Sequence, residues 1–168
     1  DMDAFRATVK DMVARMNSAR KAAANATKKP AKKRAAPAPA TTRLGAKGIL
    51  VRVIQVAAHV RPVDGIFGPD TQRGVRALQS TRRIDVDGIV GPDTWTVVLD
   101  ALPALRWGSR GVAVRLAQTL LGMTKADVDG IYGRRTRAKV RAWQSQRHVA
   151  ATGTIKRSTW RTLTLKAR

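Results

Sequence analysis

The chain has 168 residues, of which 33 are Lys or Arg and 11 are acidic, giving a formal charge of +22, and it has no cysteine. That length suits one ordinary domain or two small ones. The missing cysteine excludes disulfides, thiol nucleophiles and cysteine-held metals, and the charge favours polyanionic partners such as nucleic acid, an anionic cell wall or an acidic protein shell.

Residues 1–24 read as one amphipathic helix for anchoring or oligomerisation. Met2, Phe5, Val9, Met12 and Met16 recur at steps of three and four, a narrow heptad seam. Asp1 and Asp3 stand at its start and Arg20 and Lys21 near its end, as the helix dipole favours. A helix this short is marginal alone and wants a protein partner or copies of itself.

Residues 25–43 are rich in Lys, Ala and Pro. No large apolar side chain is present to offset the entropy of ordering, so an extended basic tether is expected. Lys28, Lys29, Lys32, Lys33 and Arg34 are its polyanion contacts, with nucleic acid among the candidate partners.

Beyond it the chain repeats itself. "LGAKGILVRVIQ" (44–55) matches "WGSRGVAVRLAQ" (107–118), and "DGIFG" (64–68) matches "DGIYG" (129–133). The match survives a two-residue length change between Gln55 and Asp64. Residues 44–102 and 103–168 are therefore two tandem units of about sixty residues. Within each, the Asp-Gly phrase occurs twice, in full or diverged: "DGIFGPDT", "DGIVGPDTW", "DGIYGRRT", "TGTIKRSTW". Asp-Gly marks a turn, and the Ile or Val that follows is expected to be a single buried anchor. Gly-Pro-Asp-Thr then starts a helix, with Pro at the first helical position and Asp near the positive helix end.

Each unit thus reads as three helices joined by two such loops, and the fold class as mainly α. A helix is expected over about 69–82, with Val75, Ala77 and Leu78 inward and Arg73, Arg76 and Arg82 wet. A shorter one is expected from Pro92 to about Leu99. The second unit should bury Val112, Leu116 and Leu120, then Val140 and Trp143, then Trp160 and Leu163. Trp95, Trp143 and Trp160 read as core.

These residues resemble the peptidoglycan-binding-domain family: Gly48, Val51 and Gln55, then Asp64 to Thr71, Val75, Leu78-Gln79, Asp87 to Trp95 and Leu99. The resemblance runs from about Leu44 to Leu163, in two copies. It implies a non-catalytic module that holds its carrier against peptidoglycan. The second copy departs from the pattern. Pro69-Asp70 becomes Arg134-Arg135, and Asp87 becomes Thr152. Arginine at a helix start opposes the dipole and suits a phosphate or carboxylate ligand. The candidate ligand contacts are Asp64, Phe67, Thr71, Trp107, Asp129, Tyr132, Arg134, Arg135 and Thr136.

No enzyme is expected. Glycoside hydrolysis usually takes two positioned carboxylates. There is no glutamate, and Asp64, Asp87 and Asp129 are read as turn residues. His59 and His148 lie far apart without ligand spacing, so no metal or cofactor is expected. No apolar run reaches the ~20 residues of a membrane helix, and no export signal is visible. Three functions fit: a peptidoglycan-binding component of an assembly such as a bacteriophage virion, facing the cell wall from outside; a purely structural scaffold of such an assembly; or a nucleic-acid-associated protein.

Overall fold

The computed structural model describes residues 38–166. The expected helix over 1–24, and the expected tether as far as residue 37, lie outside the described residues. Among those described are six α-helices: α1 Ile49–Ala57, α2 Pro69–Thr81, α3 Pro92–Ala101, α4 Val112–Leu120, α5 Arg134–Ser145 and α6 Arg157–Lys166. A single 3-10 turn, Lys125–Asp127, precedes α5. No strand occurs among the described residues, only four isolated antiparallel bridges.

The helix starts follow from the sequence. Gly68 and Gly91 are extended, Pro69 and Pro92 take the first helical position, and Asp70 and Asp93 stand in the first turn. α1 and α4 start differently. Gly48 and Gly111 sit at φ 119 and 110, a region that side chains rarely enter. The helix ends use left-handed residues. His59, Arg83 and His148 sit at φ 54, 53 and 54 after α1, α2 and α5, and Gly122 does the same after α4. The two histidines therefore end their helices at the same place in the repeated helix-and-loop stretch.

The bridges decide which loop residue enters the core. Lys47 pairs with Ile66, Thr42 with Val90, Arg110 with Ile131 and Leu105 with Ile155. Side chains alternate along an extended segment, so neighbours point opposite ways. Ile66 and Ile131 are 47% and 40% exposed, whereas Phe67, Val90, Tyr132 and Ile155 are buried. Val90 is thus the buried anchor of its loop, as expected, whereas at Ile66 and Ile131 the anchor is the residue that follows.

Trp95, Trp160 and Trp143 are core, as expected. Two further expectations need correction. Ala77 is exposed, because α2 turns Val75 and Gln79 inward, whereas Leu78, half-buried, packs against the core as expected. Val112 is half-buried at the start of α4, and Val114 is the residue fully inside.

The tether boundary also moves. Pro39 and Thr42 are buried, Thr42 pairs with Val90, and the indole N–H of Trp95 donates to the Ala40 carbonyl at 3.1 Å. The second unit repeats the device. Leu105 pairs with Ile155, and Trp160 donates to the Pro103 carbonyl at 2.8 Å. The segment 38–43 therefore belongs to the first unit, as 103–106 belongs to the second.

Like helices of the two units meet: α1 packs on α4, and α3 on α6. Arg157 of α6 pairs with Asp100 of α3. An element meeting its own counterpart is the pattern of a two-fold arrangement, here within one chain.

One buried polar atom stands apart. Trp143 fills the place of Leu78, and its indole N–H has no partner among the described residues. The Arg147 guanidinium lies 4.9 Å from the centre of its ring. Trp143→Phe removes the orphaned donor but also the fused five-membered ring, so the relief of about 1 kcal/mol is offset by the space left behind. Thermal or urea denaturation should show stability changed by less than about 1 kcal/mol, far below the cost of an ordinary buried Trp→Ala change.

Candidate functional site

The loops are built by a stretch that occurs four times: "VRVIQ" (51–55), "VRALQ" (75–79), "VRLAQ" (114–118) and "VRAWQ" (140–144). Its valine and glutamine are buried every time. The Gln79 amide donates to Asp87 Oδ1 at 2.8 Å, to the Ile89 carbonyl at 3.0 Å and to Thr94 Oγ1 at 3.1 Å. Its own carbonyl accepts from Gly88 N–H at 2.9 Å. Gln55 holds Asp64, Ile66, Thr71 and Gly65 in the same way, and Gln118 holds Asp129, Ile131, Thr136 and Gly130.

The fourth loop has diverged and is held by neutral partners. Gln144 donates to Thr152 Oγ1 at 3.3 Å and to the Thr154 carbonyl at 2.9 Å, and accepts from Gly153 N–H at 2.9 Å. Each clamp ties a helix to the loop that follows it and so fixes the start of the next helix.

The arginine of the stretch lies over the turn glycine. A Cβ on Gly130, at φ 80, would stand 2.9 Å from Arg115 Cγ and 3.3 Å from the Gly111 carbonyl. Gly65 beneath Arg52 and Gly88 beneath Arg76 are equally crowded.

The clamps set the acid behaviour. The Gln55 amide, then the Ile66 N–H, hold Asp64 below the usual carboxylate range. For Asp87 the Ile89 N–H leads, followed by Gln79. For Asp129 it is Gln118, then the Ile131 N–H. A depressed folded pKa adds stability above the unfolded value, and that stability is lost as pH falls through the folded one. The chain should therefore weaken below about pH 4. A variant carrying Asp64→Asn, Asp87→Asn and Asp129→Asn should show a flatter melting-temperature profile over that acid range.

The loops are spread over two equivalent units, and the sequence profile of the peptidoglycan binding domain matches each: residues 51–98 and 110–163. The chain belongs to the peptidoglycan-binding domain family. A comparison with curated proteins finds no match.

Family membership gives the candidate contacts their setting. Phe67 and Tyr132 are buried, as are Thr71 and Thr136. The Tyr132 hydroxyl donates to the Gly153 carbonyl at 3.0 Å, and burial pushes its pKa up to about 12. These four are packed inside the two units. Asp64 and Asp129 are exposed, but one oxygen of each is committed to its clamp. Arg134 and Arg135 are exposed at the start of α5, and Arg135 pairs with Asp127 at 2.7 Å. Met123, Asp127 and Ile131 line a recess of about 320 Å³ with them.

Trp107 is 57% exposed, and its counterpart Leu44 is 54% exposed. The exposed Ile66 and Ile131 sit on the loop bridges beside them, since Gly45 bonds the Phe67 carbonyl and Gly108 that of Tyr132. Each peptidoglycan-binding unit thus carries an uncovered apolar residue at its entrance and another in its first loop. Ile66 and Ile131 were not read as exposed because an anchoring role was expected of them, and Leu44 was read only as the counterpart of Trp107. Among the described residues no group of His or Asp is placed to hold a metal, and no helix is long and apolar enough to cross a membrane.

Proposed function

We propose that the chain binds peptidoglycan through both tandem units, and that residues 1–24 fasten it to a larger assembly, with a bacteriophage virion the leading case. The tandem family match carries this reading. Both units keep the clamped first loop, and both present an exposed apolar entrance residue, Leu44 in one and Trp107 in the other. The heptad spacing of Met2, Phe5, Val9, Met12 and Met16 supports the anchor. Peptidoglycan as ligand places the chain against the cell wall.

The net charge of +22 and the basic tract around Lys28–Arg34 favour a second reading, association with nucleic acid. Co-sedimentation of the full chain with purified sacculi separates the two. A wall binder stays on sacculi at about 0.5 M salt, where an electrostatic binder leaves DNA-cellulose. Release from sacculi at that salt rules against the first reading. For the anchor, Phe5→Asp with Val9→Asp should abolish incorporation into the assembly while leaving sacculus binding intact.

A further inference from the structure

The duplication sets two copies of one short stretch, Gly48–Arg52 and Gly111–Arg115, on helices that pack together. Between them lies a cleft of about 350 Å³. Six of its eight lining residues come in equivalent pairs: Ile49 with Val112, Arg52 with Arg115, and Val63 with Val128, while Leu116 and Thr119 come from the second unit alone. The four paired apolar residues are only half-buried and Leu116 lies beneath them, so the cleft has an apolar floor open to solvent. A second recess of about 300 Å³ shares Val63 and Val112 and adds Arg61 and Arg110. No acidic side chain lines either space.

Among the described residues neither central arginine, Arg52 or Arg115, is closed in an ion pair, although Arg52 lies near enough to the Asp64 carboxylate to help lower its pKa. Arg52 makes one long contact, donating to the Asp64 backbone carbonyl at 3.4 Å. Covering a turn glycine does not explain their pairing. Arg76 covers Gly88, and Arg141 with Arg137 covers Gly153, all outside the cleft. What the duplication adds is that two of these arginines face one apolar groove.

We propose that this cleft is a carboxylate-binding site built jointly by the two units, and that its occupant is the stem peptide of the wall. The proposal rests on the wall-binding reading above. Stem peptides combine small methyl side chains with free carboxylates. The methyls suit the apolar floor, and the carboxylates suit paired guanidiniums, which bind them in a planar, forked geometry. Uncharged glycan hydroxyls leave the arginines unexplained. The volume falls within the range of small-ligand sites, about 300–1,000 Å³. Each unit alone supplies one arginine and only part of the floor, so the site needs both.

The test titrates the full chain by calorimetry with a soluble disaccharide-tetrapeptide muropeptide, and with the same molecule after its carboxylates are amidated. The free acid should bind at least about tenfold tighter than the amide. Arg52→Gln and Arg115→Gln should each weaken binding of the free acid about tenfold. Arg76→Gln, which uncovers a glycine away from the cleft, should change nothing. Melting temperatures check that each variant is folded, and the amidated probe needs no variant at all.

Equal affinity for both probes overturns the proposal. So does an equal loss in Arg76→Gln, or unchanged affinity in a folded Arg115→Gln. If sacculi are retained but the muropeptide is not, the wall-binding reading stands and this site falls. If neither is held, both fall. Sacculi stripped of anionic phosphate polymers should be retained as well as untreated ones, and loss on stripping assigns the arginines to phosphate instead.

Discussion

Gln79→Leu should destabilise the chain by about 3 kcal/mol, the cost of leaving buried donors and acceptors without partners. Leucine has nearly the right volume for this fully buried position, so packing changes little. What is lost is the polar set. Gly88 N–H is buried and has Gln79 as its acceptor, so it becomes an orphan. Asp87 keeps the Ile89 N–H, and Thr94 keeps the Ile89 carbonyl, so the loop is weakened rather than erased. Gln144→Leu is the internal comparison. Its partners are neutral, and its donor bonds are fewer. Hydrogen bonds to charged groups are the stronger ones, so this change should cost roughly 1 kcal/mol less than Gln79→Leu. Urea denaturation of the two variants checks the difference. Equal losses would mean that the aspartate adds nothing to the clamp.

Trp95→Ala should cost about 3–5 kcal/mol, the range for emptying the site of a large aromatic side chain. Trp95 is fully buried. It also holds the segment 38–43 through the Ala40 carbonyl, so the loss reaches beyond its own cavity. Trp95→Phe divides the two contributions. It keeps most of the apolar volume but has no N–H for Ala40. Stability should fall less than for alanine, while trypsin cleavage after Arg43 should accelerate in both variants. Cleavage of Trp95→Phe at the wild-type rate would show that Thr42 and its bridge to Val90 hold the segment alone.

Much of this architecture is legible in the residues. The duplication, the helix starts at Pro69 and Pro92, and the core roles of Trp95, Trp143 and Trp160 follow from spacing and helix-start chemistry. The glutamines were visible as matched positions, yet their work was not read. A polar residue on a core-facing turn looks like an exception until its partners are known, and those partners lie 8 to 18 residues onward. The signal was present, since a glutamine ends the same stretch four times. The anchor was placed one residue early at Ile66 and Ile131 because short extended bridges leave too little alternation to set a register. Phe67 and Tyr132, singled out for their place in the loop, are buried there instead of exposed. That residues 38–43 pack on the first unit was not legible because the contact is made by the Ala40 backbone carbonyl, which composition does not reveal. The inter-unit cleft depends on how α1 meets α4, a tertiary fact beyond any single repeat.

The spacing of these bonds also orders the folding reaction. Each glutamine closes a short stretch of chain onto itself, whereas Trp95 reaches back 55 residues to Ala40, and Trp160 reaches back 57 to Pro103. Local contacts incur little loop-closure entropy and form fast, while distant ones wait for the chain between them. The helix-and-loop halves should therefore assemble first, with the two tryptophan latches closing last. Glutamine variants should slow refolding, and tryptophan variants should chiefly speed unfolding.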